Sequence, residues 1–284
     1  MAASMAFFVI NDSLVKLVSE NLGLFQIILL RGLMASALLA LVAMKRKSIF
    51  PILNRPDWKV LAFRLTGEVG ATLCYLTALF NIPLANATAI LAALPLAVTL
   101  AAAVFMGEPV GWRRYLAILV GFAGVLIIVR PGAEGFNAYS IWALAAVAFV
   151  VLRDLSTRHL SAHVSSIFVS LLTSVAITLT GGVMTMFTVW EPVGTNEFRL
   201  LAAAATLMVF AYLTSVMTMR VGEISFVSPF RYTALIWAIG LGVVIFGDAP
   251  DSWTLLGSGI IVSMGIYTFY REKKIKKLEQ SVSS

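Results

Sequence analysis

Runs of about 20 apolar residues, each closed by a short cluster of charged or turn-forming residues, follow one another along this chain to about position 270. Ten are discernible, at residues 1–18, 24–44, 59–80, 86–106, 113–130, 138–157, 164–187, 199–219, 224–246 and 254–270. Each is long enough to predict a helix that crosses a bilayer. The pattern therefore predicts an all-α integral membrane protein of ten transmembrane helices, with loops too short for a soluble domain. Only the basic tail at 272–284 reads as solvated or in contact with headgroups.

Polar positions inside the apolar runs identify where function can reside. The stretch from Val60 to Leu79 carries Arg64 and Glu68, and a charge near the bilayer centre costs from a few to more than ten kcal/mol. Arg64, Glu68, Thr72 and Tyr75 share one helical face by their i, i+4, i+8, i+11 spacing. That stripe reads as a binding or pathway face; the bland alternative is an i,i+4 pair that neutralises itself inside a packed bundle. Asn11 and Asp12 lie in the first run, with Lys16 one turn after Asp12. Asp12 is either an acidic cavity wall or simply the partner of Lys16. Arg31 has no acid one turn away and needs one from another helix, Asp12 or Glu68.

In the ninth run Ser228, Arg231 and Tyr232 share a face. Pro229 frees a backbone carbonyl near Ser225, and with Glu223 this segment could hold a carboxylate or phosphate. Tyr75 and Tyr212 could flank a planar solute by stacking, or fill the core. Gly121, Gly124, Gly257, Gly259 and Gly265 read as close helix packing.

The composition, 60% hydrophobic and 12% charged, excludes an ordinary soluble domain, and the net charge of +7 is dealt out between apolar runs rather than gathered on one face. Nucleic acid is therefore not an expected partner. Lys45, Arg46, Lys47, Arg55, Lys59, Arg113, Arg114, Arg153, Arg158 and Arg220 fall in alternate connections, on the side of the basic tail. By the positive-inside rule both termini are cytoplasmic. One cysteine, Cys74, excludes an internal disulfide, and His159 with His163 is too small a set for a metal site. No cofactor is expected.

Internal repetition adds the architecture. Asp12 and Lys16 recur as Asp154 and Arg158; Tyr75-Leu76-Thr77 as Tyr212-Leu213-Thr214; Gly107-Glu108 as Gly247-Asp248; Trp112 as Trp253. Five runs per copy is an odd number, so the second copy enters the membrane from the other side, giving two inverted five-helix repeats at 1–131 and 138–271. The segments ANATAILAALPLAVTLAAAVFMGEPVGWRRYLAILVGFAGVLIIVRPG and SFVSPFRYTALIWAIGLGVVIFGDAPDSWTLLGSGIIVSMGIYTFYRE each pair small entry residues and a proline with a Gly-acid turn, a tryptophan and a Gly-rich short run ending in Arg. Across essentially the whole chain this resembles the EamA-type transporters of the drug/metabolite transporter superfamily. The start, AFFVINDSLVKL followed by FQIILLR, resembles a subset with S-adenosylmethionine or riboflavin uptake carriers.

The resemblance implies a secondary transporter in the cytoplasmic membrane, not an enzyme, that moves a small organic metabolite such as an amino acid or another zwitterionic solute by alternating access. Export of amino acids or toxic compounds is the alternative, and a channel or non-transporting sensor a third. Glu68 and Asp12 are the proton-coupling candidates. Runs one to four and six to nine are expected to line the cavity, and runs five and ten to serve as scaffold or homodimer contacts. Enzyme signatures such as H-E-x-x-H and G-x-S-x-G, and a nucleotide-binding G-x-x-x-x-G-K-[ST] loop, do not occur.

Overall fold

A computed structural model describes residues 1–45, 54–107, 111–131, 137–161, 164–221 and 228–283; side chains at 158, 213, 215–221, 228–229 and 272–283 lie outside the description. Among the described residues every regular element is a helix. They are α1 (Ala2–Val18), α2 (Leu24–Lys45), α3 (Arg55–Asn81), α4 (Leu84–Leu91), α5 (Leu94–Met106), α6 (Trp112–Val129), α7 (Tyr139–Arg158), α8 (Ser166–Thr185) and α9 (Thr195–Val221). A 3₁₀ turn (Ser228–Tyr232), α10 (Thr233–Leu241), a π-helical turn (Gly242–Phe246) and α11 (Ser252–Ser283) complete the chain.

Six segments are long and apolar enough to cross a membrane: Leu24–Lys45, Leu84–Met106, Trp112–Val129, Tyr139–Thr157, Ser166–Thr185 and Ser252–Arg271. Three of the other four expected spans depart from that standard for identifiable reasons. Helix α1 has 17 residues, and α3, at 27 residues, carries the charges of Arg64 and Glu68 within its length. Phe230–Phe246 is apolar but short.

Proline explains the two interrupted segments. Pro95 is the second residue of α5 and has no N–H to continue the ladder of α4, so the chain turns at Ala92 and Ala93. Pro229 sits in the 3₁₀ turn that precedes α10. Both segments end on a left-handed glycine, Gly107 at φ 67° and Gly247 at φ 68°, a conformation that costs a side-chain-bearing residue.

Helices from opposite halves of the chain pair with one another. The main contacts are α3 with α7, α1 with α9, α2 with α8 and α6 with α11. Lesser ones join α2 to α9 and α3 to α8, and α1 to α10 and α5 to α7. Small residues set the closest approaches, as expected for helices that gain little from apolar burial inside lipid. A Cβ at Gly257 would stand 2.5 Å from the Gly124 carbonyl oxygen and 2.6 Å from Ile128 Cγ1. Gly124 faces Gly257 in return, whereas Gly259, expected to pack in the same way, meets nothing within 4 Å. Gly257→Ala is therefore expected to lower stability by about 1–3 kcal/mol through overpacking, read as a reduced melting temperature in detergent, while Gly259→Ala leaves it unchanged.

Candidate functional site

A cavity of about 270 Å³ opens between the two halves. It is lined by Met5 to Asp12 on α1, Glu68 to Leu76 on α3, Ala146 to Arg153 on α7, Met208 and Tyr212 on α9, and by both interrupted segments, at Thr88–Pro95 and Arg231–Leu235. The stretches on α1, α3, α7 and α9 lie near the middle of their helices, so the cavity sits at mid-depth. Of the ten residues expected at the site, Asn11, Asp12, Arg31, Glu68, Tyr75, Tyr212, Arg231 and Tyr232 line it. Arg64 does not; it faces a narrower neighbouring cleft. The Ser228 side chain, and residues Glu223 and Ser225, lie outside the described part of the structure. His163 lies outside it as well, and among the described residues no cluster of three potential metal ligands occurs.

Two polar clusters form the walls. In the first, Asn11 Nδ2 donates to Asp12 Oδ1 at 2.9 Å and the Tyr75 hydroxyl donates to Asp12 Oδ2 at 2.8 Å. Arg31 donates to Asn11 Oδ1 at 3.4 Å, so the buried guanidinium reaches Asp12 through an amide. Lys16 leaves Asp12 altogether: its ammonium donates to the Ile82 carbonyl and stands 5.5 Å over the Phe246 ring. The simple Asp12–Lys16 pair is thus replaced by two separate contacts, because Tyr75 and Asn11 already occupy both carboxylate oxygens.

The second cluster bridges α3 to α7 and α8. Glu68 Oε2 lies 3.5 Å from Arg64 and Oε1 lies 3.3 Å from Arg153. The Tyr212 hydroxyl donates to Oε1 at 3.4 Å, and Arg153 Nε donates to Asp154 at 2.9 Å. Arg64 continues outward to Thr157 Oγ1 at 3.1 Å and Thr173 Oγ1 at 2.5 Å. Two glycines make this bridge: a Cβ at Gly67 would stand 2.8 Å from Arg153 N, and one at Gly70 2.5 Å from the Phe149 ring. Their absence of side chains brings α7 close enough for Arg153 to reach Glu68.

Arg231 stands apart. Among the described residues no hydrogen bond or ion pair within 4 Å engages its guanidinium, and the neighbouring Tyr232 hydroxyl is buried without a partner against Gly265. The cavity wall thus carries three arginines, 31, 153 and 231, against two carboxylates, Asp12 and Glu68. Aromatic surface comes from Phe8, Tyr75, Tyr212 and Tyr232, with Phe8 edge-on to Tyr212 at 5.4 Å.

Arg153 is the residue that sequence reasoning assigned elsewhere, to the basic set that orients the chain. A signal existed: the offset of 142 that matches Asp12 to Asp154 also matches Asn11 to Arg153. The expected lining by the seventh run is likewise corrected, since α8 borders the narrow cleft and not the main cavity.

Residues 1–130 match the EamA-like transporter family. Over 96% of this chain and 94% of its own length, the pseudopaline exporter CntI of Pseudomonas aeruginosa (strain UCBPP-PA14) is 29% identical. The riboflavin transporter of Vibrio cholerae is 28% identical over 78% of this chain and 74% of its own, and the S-adenosylmethionine uptake transporter of Rickettsia bellii 27% over 68% and 66%. A protein of known crystal structure shares the fold, with a TM-score of 0.63 at 22% identity over 96% of this chain and 98% of the other.

Proposed function

We propose, from a first half that belongs to the EamA-like transporter family, that this protein is a secondary carrier which moves a small organic metabolite across the cytoplasmic membrane by alternating access. The observation that carries the proposal is the mid-depth cavity, walled by both halves of the chain and by two proline-broken segments. Broken helices expose backbone and helix ends to a solute at the membrane midplane. The solute fits as an amino acid, an S-adenosylmethionine-like or riboflavin-like compound, or another zwitterion, with arginines and carboxylates for its charged ends and four aromatic rings for its body. Binding is assigned to Asn11, Asp12, Arg31, Glu68, Tyr75, Tyr212, Arg231 and Tyr232, with Arg153 added.

Ten spans in two inverted repeats, 1–131 and 138–271, are supported by the helix pairing. Exchanging α1, α2, α3, α4–α5 and α6 for α7, α8, α9, the 228–246 segment and α11 converts the α3–α7 contact into α9–α1 and α2–α9 into α8–α3. The same exchange leaves α2–α8 and α6–α11 unchanged. Both termini are placed in the cytoplasm on the distribution of Lys and Arg.

Liposomes loaded with labelled neutral and aromatic amino acids, S-adenosylmethionine or riboflavin test the reading by counterflow. Saturable exchange of one solute is expected; flux that does not saturate would instead make the protein a channel. Asp12 and Glu68 are the carboxylates available to a coupled proton, and uptake driven by an imposed pH gradient should vanish in Asp12→Asn or Glu68→Gln while counterflow persists at a raised half-saturating solute concentration. Export is the second direction, favoured by a likeness to the pseudopaline exporter that extends over 96% of the chain.

A further inference from the structure

We infer that the narrow cleft between α2, α3, α8 and α9 binds one small monovalent anion of chloride's size, separately from the solute in the central cavity. The cleft encloses about 30 Å³. About 10–15 Å³ of such space holds one water, so the cleft admits a single halide-sized species and excludes an organic solute. Its polar lining is one-sided. Arg31, Arg64, Ser170, Thr173, Ser174 and Tyr212 border it, and none of the lining residues is an aspartate or glutamate.

The donors there exceed the acceptors. Arg31 is 5% exposed and has five N–H donors, of which one reaches a protein acceptor, Asn11 Oδ1 at 3.4 Å. No carboxylate lies within 4 Å of it among the described residues. The Ser170 hydroxyl also has no partner among those residues. Thr173 and Ser174 are held in place by Val169 and Ser36, at 2.7 and 2.8 Å. Arg31 reaches Asp12 only through Asn11, and an anion beside it supplies a directly paired charge while accepting from the Ser170 hydroxyl; Thr173 gives its own proton to the Val169 carbonyl. The anion also draws α2 and α3 of one half toward α8 of the other, so its occupancy bears on how the halves separate.

The test uses the full-length protein in detergent, with no organic solute present, titrated with sodium chloride against sodium gluconate at constant ionic strength. A saturable rise in melting temperature with chloride alone, about 3–5 °C by ten times the half-saturating concentration, is the expected result. Ser170→Ala should weaken the half-saturating concentration at least fivefold, and Arg31→Gln should abolish the response. If Arg31→Gln does not fold, the Ser170→Ala comparison decides alone. Superimposable chloride and gluconate curves would mean that water fills the cleft, and would overturn the assignment. A chloride response unchanged by Ser170→Ala would overturn it too, as would an equal response to benzoate, which is too large for the cleft and would place the anion in the central cavity.

Discussion

Glu68→Ala is expected to destabilise the protein by about 3–5 kcal/mol, the usual consequence of stripping one partner from a buried ion pair, and to lower its melting temperature by about 10 °C. Glu68 is 5% exposed and stands between Arg64 at 3.5 Å and Arg153 at 3.3 Å, with the Tyr212 hydroxyl as a third donor. Its removal leaves Arg153 with Asp154 alone and Arg64 with two threonine hydroxyls. The loss is an uncompensated charge, so it should be recoverable. Combining Glu68→Ala with Arg64→Met removes the excess cation, since Arg153 keeps Asp154, and should restore at least half of the lost stability, giving a large coupling in the double-mutant cycle. Glu68→Gln, which keeps an acceptor oxygen, should fall between. A Glu68→Ala protein that melts within 2 °C of wild type would show that water already screens the cluster and that the α3–α7 seam does not depend on it.

Local periodicity made much of this site legible. The spacing of Arg64, Glu68, Thr72 and Tyr75 placed them on one face, and Glu68, Thr72 and Tyr75 do line the cavity. Arg64, one turn further toward the helix start, turns to Thr157 and Thr173 on α7 and α8, a choice that depends on which helices pack beside α3. That information is absent from α3 itself. Arg153 was hidden for the same reason: it reads as a basic residue near a span end until Gly67 and Gly70 let α7 come close.

Repeat logic also has a limit that the geometry explains. Asp12 with Tyr75 in the first half suggests Asp154 with Tyr212 in the second. Yet Tyr212 donates to Glu68, because Asp154 is held by Arg153. The position that is Asn11 in one half is arginine in the other, and this one difference gives the cavity its excess of positive charge.

Arg231→Gln is expected to do the reverse of Glu68→Ala, removing function while leaving the fold intact. Most buried arginines cannot be replaced without orphaning a carboxylate, but no described residue lies within hydrogen-bond or ion-pair distance of the Arg231 guanidinium. Asp154 is in electrostatic range yet keeps its bonds to Arg153 after the change. Relief of an unpaired cation should therefore leave the melting temperature unchanged or raise it. The cavity, meanwhile, loses from its wall the group best placed to receive an anionic end of the solute. A charge-assisted hydrogen bond is worth about 1.5–3 kcal/mol, so the half-saturating solute concentration in counterflow should rise about 10- to 100-fold. Arg231→Lys should recover part of that loss, since it keeps the charge and gives up the planar fork. The pairing of readouts decides the case. If Arg231→Gln lowers the melting temperature as Glu68→Ala does and the folded fraction exchanges solute normally, Arg231 is a structural residue and the solute's anionic end lies elsewhere in the cavity.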